Sequence, residues 1–595
     1  MLQSVDSNAS LLRLIEETPN NGLLRYLWVF NKERLIITSP RAIREVIVAK
    51  SYVFAKPLEV RQFLGRVAGH GVLLSEGDEH KVQRRNLMPA FTFRHVKNLY
   101  PIFWDKSMLL VQAISDTCDS DNTAQIDIHA WVSRCTLDTI GLAVLGLDFR
   151  AIQDEHNELN QRYTQLMTPC RQDKIMLALA TFLPSRVLHR LPLSRNTVIA
   201  KSVKHLRNAC GELLAARRQR GTGCENTDIV SVALSSGQFS DTQLVDQMMT
   251  FLSAGHDTST AAFTWAVYAL AAHPDIQERL RGELGAHLPA ISGQGGSVSS
   301  SEIDRLPYLH AVCSEVFRLY APLPQNVRDA LHDTTIEGIR VPRGTRIILA
   351  PWATNVDGEL WGRDAKEFRP DRWLSTDHGG MYDVKTASSG GATSNYAFLS
   401  FSHGPRSCIG QSFARGELAC FLAAWVGRFR FELADKALVD WSKVRLEPAV
   451  AARPLGGLQL KGNATGAQRP RLNFGRSGPV KFSQRKHKVG FFVHHRALLS
   501  FLHKRDSHRA GWTSDRESNA RAIRHLNAIC RGAQDANHAA CGAHADAEWI
   551  STDISDGLFL SDRSVLDMTG SELVTLPAIM CQDLKDRLTG IGKDA

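Results

Sequence analysis

Much is missing from this chain of 595 residues, and each absence removes a class of protein. No apolar run is long enough to cross a bilayer, so the sequence predicts no transmembrane helix. The start, Met1-Leu2-Gln3-Ser4-Val5-Asp6, has neither a basic nor an apolar leader segment and does not read as a signal peptide. The 11 cysteines are odd in number and scattered, which suits a reducing compartment better than a disulfide framework. No internal repeat is found. Charge is not balanced: 71 Lys and Arg against 61 Asp and Glu leave +10. Half of that excess lies beyond residue 462, where a basic stretch precedes an acidic one. A solvated extension explains this pattern better than a nucleic-acid site, and no nucleic-acid partner is expected.

Hydrophobic content of 43% and charged content of 22% are ordinary for a globular protein. Along the first 55 residues short apolar runs alternate with turns. Residues 23–30 and 35–38 read as strands around a turn, and a helix starts at Pro40 with Ser39 as its cap. Residues 78–287 are mostly helical in pattern, with residues 221–226 as an exposed loop and residues 293–301 as a flexible one. Asp241–Ala272 is long, mostly apolar and free of proline until His273-Pro274, so it predicts a helix through the middle of a large core. A further helix is expected over residues 307–320, two short strands around a turn over 336–350, and a helix over 411–431. The fold class is mainly α with a small β part.

The densest signal is Phe401-Ser402-His403-Gly404-Pro405-Arg406-Ser407-Cys408-Ile409-Gly410. Two glycines let the backbone turn sharply and approach a flat object. Phe401 can lie against that object, and Arg406 can pair with a carboxylate at its edge. Cys408 stands just before a helix, where backbone N–H groups favour a thiolate. A lone cysteine is most often an inert buried thiol. Here the spacing Phe-x-x-Gly-x-Arg-x-Cys-x-Gly-x-x-Phe-Ala specifies too many positions for chance, and it resembles the haem-ligand signature of the cytochrome P-450 family.

That resemblance implies the cytochrome P-450 fold, a helix-rich single domain with haem between the long distal helix and the cysteine-loop helix. It implies Cys408 as axial ligand of the iron in haem b, with Phe401 and Gly410 against the ring. Ala254-Gly255-His256-Asp257-Thr258 resembles the distal acid–alcohol pair: Asp257 relaying protons, Thr258 donating to bound O2, and Gly255 leaving room for oxygen beside the iron. Read from its residues alone, Thr258 can equally bond back to a helix carbonyl. Glu315-x-x-Arg318, by itself an ordinary surface ion pair, resembles with Arg372 the family's buried structural triad. Arg406, Arg328 and Arg84 match the propionate clamp, Arg being suited to bidentate carboxylate binding. The family usually has Trp four residues before Arg84; this chain has His80, which can offer one hydrogen bond.

By resemblance the chain is a haem-thiolate monooxygenase of the microsomal, fungal-type branch, inserting one atom of O2 into a small molecule, as in secondary metabolism. Residues 58–74, Phe251, Ala254 and residues 321–327 would face the substrate, and their composition suggests an apolar one. Electrons would come from NADPH through a separate cytochrome P-450 reductase, since no flavodoxin or Rossmann pattern is present. The endoplasmic reticulum membrane, cytoplasmic face, is the expected location. The branch's anchor is missing, and residues 174–184 could make surface contact instead. The haem domain is placed at 1–462 and an atypical extension at 463–595, in which His538, Cys541 and His544 lack a second pair of zinc ligands. A peroxide-using isomerase or dehydratase on the same fold is the alternative, and Asp257 with Thr258 argues against it. So is an inactive gene product.

Overall fold

The computed structural model describes residues 7–28, 31–118, 123–154, 156–167, 170–179, 185–188, 190–220, 228–288, 298–374, 376–377, 381–382, 389–447 and 450–464. The expected loop at 221–226, the zinc-like residues and the extension from 465 onward lie outside them, as do parts of 174–184 and 293–301.

The long helix spans Asp241–Ala272, as its pattern predicts. Ser240 accepts from the Gln243 N–H while the Gln243 side chain accepts from the Ser240 N–H, a reciprocal cap that fixes the first turn. Pro274 opens the next helix, Pro274–His287, and so closes this one. From Ser259 to Ala271 every residue is buried, as expected of a helix apolar on most faces. It packs against helix Ile128–Ile140 and against the cysteine-loop helix, Gln411–Arg428.

The cysteine-loop helix is shorter than its apolar run suggests. Phe429–Leu433 is a strand in which Phe429, Phe431 and Leu433 are buried while Arg430 and Glu432 face out. The period changes from helical to two at Phe429, and Gln459–Ala464 pairs with it antiparallel. Thr123–Asp127 completes that three-stranded sheet. Gln459–Ala464 also runs across the boundary placed at 462.

A five-stranded sheet lies in the order Leu23–Leu27, Glu33–Ile37, Arg346–Leu349, Asn326–Ala330, Phe54–Ala55. Its one parallel pairing joins Glu33–Ile37 to Arg346–Leu349. The two strands expected within 336–350 are present but do not pair with each other. Ile339–Val341 pairs with Thr334–Ile336 in a separate ribbon, and Arg346–Leu349 enters the large sheet. Helix Pro40–Arg44 begins as read, with Ser39 Oγ accepting from the Ala42 N–H. Ser7–Glu17 is a helix where only short runs and turns were expected. Its Leu11, Leu12, Leu14 and Ile15 cover Leu24, Ile36 and Ile348 of the sheet.

Candidate functional site

The cysteine loop is held open by its own backbone. Gly404 has φ +74°, and a Cβ there would stand 2.5 Å from the Ile47 carbonyl oxygen. The Cys408 N–H donates to the Phe401 carbonyl at 2.8 Å, closing the loop at its base. Gly410 caps the following helix, and no protein atom lies within 4 Å of the place its Cβ would take. Cys408 is exposed by surface area. It nevertheless sits in a recess whose low polarity pushes its thiol up, against the Gly410 N–H and Arg84, which pull it down. The Gly410 N–H acts in the direction expected of the helix start, but burial outweighs it. A coordinated metal cation would be needed to hold the thiolate. Phe401 is buried edge-on against Phe317, with ring centroids 4.8 Å apart.

Beside the loop lies a cluster of cations. Arg328 and Arg406 line one small cleft with Val46, Ile47, Ser51 and Ser402. Burial and Arg406 lower Arg328 to about 10. Lys56 is pushed well down by burial and by Arg328 and Arg406. Glu76 is the carboxylate among them, its Oε2 at 2.6 Å from Arg406 Nη2. Burial raises Glu76, but Arg406 and the Lys56 N–H more than offset that. Arg406 Nη1 donates to the Phe54 carbonyl and Nη2 pairs with Glu76, whereas the buried Nε has no acceptor. A buried guanidinium donor without an acceptor is costly. A ring bearing carboxylates at its edge would satisfy it and offset the excess charge. This orphaned donor, the surplus of cations and the open face at Gly410 fit haem.

Two clamp residues behave otherwise than the resemblance implies. Arg84 is engaged with the cysteine loop itself: Nη1 donates to the Ser407 carbonyl at 2.6 Å and Nη2 to Ser407 Oγ at 3.2 Å. It braces the residue before Cys408. His80 Nδ1 lies 3.1 Å from the Tyr52 hydroxyl, and burial, then Arg406, Lys56 and Arg84, lower it to about 4. The imidazole is neutral at physiological pH and adds no charge to the clamp.

On the long helix, Thr258 Oγ1 donates to the Ala254 carbonyl at 2.7 Å, the self-satisfied arrangement that its residue type allowed. Asp257 is half-buried, and its partial desolvation pushes its carboxyl up. Arg453 Nη1 at 3.6 Å and the Ala451 N–H oppose that. Arg453 is itself held by Glu447, Nε to Oε2 at 2.5 Å. Gly255 does not leave room for oxygen. A Cβ there would meet Ile140 Cδ1 at 2.5 Å, so this glycine serves close packing of two helices. His256 turns the same way, to Ser133 Oγ and carbonyl at 3.0 Å, and burial lowers it to about 3.

The triad is present in full. Glu315 accepts from Arg318 Nε and Nη2 at 2.8 and 2.7 Å, from Arg372 Nε at 2.9 Å, and from the Arg369 N–H and Trp373 Nε1 at 2.9 Å each. Both side chains of the Glu315–Arg318 pair are 0% exposed. Arg318 also donates to the Asn355 carbonyl. Asn355 in turn donates to Ser400 Oγ and accepts from the Leu399 N–H, so the triad reaches the segment that feeds the cysteine loop.

Sequence reasoning missed Glu76, Arg453, Asn355 and the Ser259–Glu417 contact, whose oxygens are 2.6 Å apart. Only Glu417 carried a signal: an acidic residue within an apolar helical run.

A helix-rich domain in which the helix after the cysteine loop packs against the long helix is the arrangement of a haem-thiolate class of protein. The cytochrome P450 family matches residues 9–445. The chain belongs to that family. It is 47% identical over 441 residues to cytochrome P450 monooxygenase sphH of Aspergillus fumigatus, covering 72% of this chain and 79% of the relative. It is 43% identical to cytochrome P450 monooxygenase FUM15 of Gibberella moniliformis, covering 74% and 81%. To cytochrome P450 monooxygenase ALT8 of Alternaria alternata it is 39% identical, covering 73% and 82%. The chain is an oxidoreductase of the monooxygenase class, which uses haem iron, O2 and a redox partner to act on a small molecule.

Proposed function

We propose that the chain binds haem b with Cys408 as the axial iron ligand and inserts one atom of O2 into an apolar substrate, as in secondary metabolism. The observation that supports this is the pairing of Cys408, in the Phe401–Gly410 loop, with the orphaned Nε donor of Arg406 two residues before it. When bound, haem supplies O2 activation, and thiolate donation favours O–O cleavage. Arg406 and Arg328 would hold the propionates, with His80 within reach of that edge. Arg84 positions the loop through Ser407. Phe401 and Gly410 line the ring. Glu315, Arg318 and Arg372 keep the loop's feeding segment in register.

Asp257 and Thr258 are the proton-handling pair. Burial raises the Asp257 carboxyl and so favours its protonated form, while Arg453 favours the anion. Thr258 must exchange its bond to Ala254 for one to a ligand, which a rotation about χ1 allows. Phe91 and Phe251, with centroids 5.3 Å apart, offer an apolar surface near the expected substrate stretches.

Electrons would come from NADPH through cytochrome P-450 reductase. No helix among the described residues is long and apolar enough to cross a membrane. The exposed Leu58, Phe63, Ile175 and Val187 support contact with the cytoplasmic face of the endoplasmic reticulum. The test is the spectrum of the reduced, carbon monoxide-bound protein. A strongly red-shifted Soret band is expected, and Cys408→Ser should abolish it. Folded, haem-loaded protein without that band would refute the assignment. Thr258→Ala should keep the band and uncouple NADPH use from product.

A further inference from the structure

The two helices that would enclose haem meet at a buried polar pair. Ser259 Oγ donates to Glu417 Oε2 at 2.6 Å, with the residues 4% and 2% exposed. Ser259 directly follows Thr258, and Glu417 lies on the helix that starts three residues after Cys408. Four residues further along each helix, Phe263 and Phe421 stack with centroids 4.2 Å apart and planes 7° from parallel. The contact therefore has two rungs, one polar and one aromatic, in the same register on both helices.

The polar rung is unusual in its electrostatics. Glu417 Oε1 is buried and has no partner. The ionisable side chains that face it are thiols: Cys135 of helix Ile128–Ile140 and Cys420 of its own helix, both pushed up by burial. From helix Tyr100–Ser115 the Tyr100 ring fills the space beside Gly416, and burial raises that phenol too. No cation among the described residues contacts Glu417, unlike Asp257 and Glu315. A buried carboxylate without a cation is strongly disfavoured. Burial moves Glu417 to about 8 in spite of the Ser259 hydroxyl, which pulls it down.

We propose that Glu417 is a positioning residue, a neutral carboxylic acid that with Ser259 forms the polar rung fixing Thr258 relative to Cys408, and that losing its proton loosens this clamp. An ionised Glu417 still accepts from Ser259, but it places charge on Oε1, which is shielded from bulk solvent and met by no cation among the described residues. Opening the helix contact to water relieves that charge.

The inference rests on haem loading, so it is tested on the holoprotein. Infrared difference spectra on photolysis of the ferrous carbon monoxide complex should show a protonated-carboxyl carbonyl band at neutral pH. The band should vanish in Glu417→Gln and shift in Ser259→Ala, which removes the hydrogen bond. In parallel, the share of red-shifted Soret band retained should fall through a midpoint near pH 8 in the wild type and stay flat in Glu417→Gln. No carboxyl band in the wild type would overturn the proposal, as would an unchanged alkaline midpoint in Glu417→Gln. Should Glu417→Gln take up no haem, Ser259→Ala decides: an unshifted band refutes the pair. A wild-type chain with no Soret band would instead refute the functional reading above.

Discussion

Glu315 is the place where one substitution should cost the most. Five N–H donors converge on its carboxylate, three of them from the guanidinium groups of Arg318 and Arg372. Removing the carboxylate in Glu315→Ala leaves two buried cations without their shared anion. Breaking a buried ion pair in this way costs about 3–5 kcal/mol. Hydrogen bonds to charged groups are worth about 1.5–3 kcal/mol each, but they act as a network here and do not add. Against a total stability of about 5–15 kcal/mol, the loss should bring the domain close to unfolding. Glu315→Gln keeps the volume and tests charge alone. Its amide presents two more donors to a site already full of donors, so it should lose nearly as much. Urea unfolding of purified protein, followed by tryptophan fluorescence and Soret absorbance together, gives the number. Because Asn355 links the triad to Leu399 and Ser400, the Soret signal should fall at lower urea than fluorescence in both variants. A Glu315→Ala protein within about 1 kcal/mol of wild type would refute the reasoning, since that is the cost of an exposed pair.

Other consequences can be checked as directly. Gly255→Ala should destabilise by about 1–3 kcal/mol through the clash with Ile140, an overpacking effect, read as a lower urea midpoint with an unchanged carbon monoxide spectrum. Arg453→Gln removes the cation that draws Asp257 down, so the Asp257 carboxyl rises further and the acid limb of the pH profile for NADPH-driven turnover should move to higher pH. For Glu417 the folded carboxyl lies above the unfolded one, so its contribution is fully present below the unfolded value of 4.5 and is lost as pH rises through about 8. Over that span the wild type should lose up to about 5 kcal/mol relative to Glu417→Gln, seen as converging urea midpoints toward acid pH.

The sequence was most informative where one local rule acted alone. Asp241–Ala272 announced itself by apolarity and a terminal proline, and the structure keeps those ends. Ser39 and Pro40 did the same for a short helix. The Phe429 boundary was hidden because the same apolar residues serve a helix interior and the buried face of a strand; the pairing with Gln459–Ala464 decides between them, and that partner is remote. At the site, Cys408, Glu315, Arg318 and Arg372 were singled out through the family resemblance that their motifs carry. Glu76 and Arg453 were not, because each acquires meaning only from a neighbour distant in the chain, Arg406 and Asp257; Glu417 stood out in an apolar run, but its partner Ser259 did not. Gly255 was misread for the same reason. A glycine's purpose depends on what faces it, and Ile140 lies on another helix.

The grip of Arg84 on Ser407 and of Arg406 on the Phe54 carbonyl spans more than three hundred residues of chain. The parallel pairing of Glu33–Ile37 with Arg346–Leu349 spans a similar interval. Both halves of the cofactor cradle thus come from opposite ends of the domain. During synthesis the early strands, paired only with each other, and the Arg84 helix wait for these distant partners until the ribosome has released the cysteine loop. Haem uptake is accordingly a late event in the life of each molecule. Its timing makes the cofactor a check on completed assembly: only a chain that has brought its two ends together has anywhere to keep it.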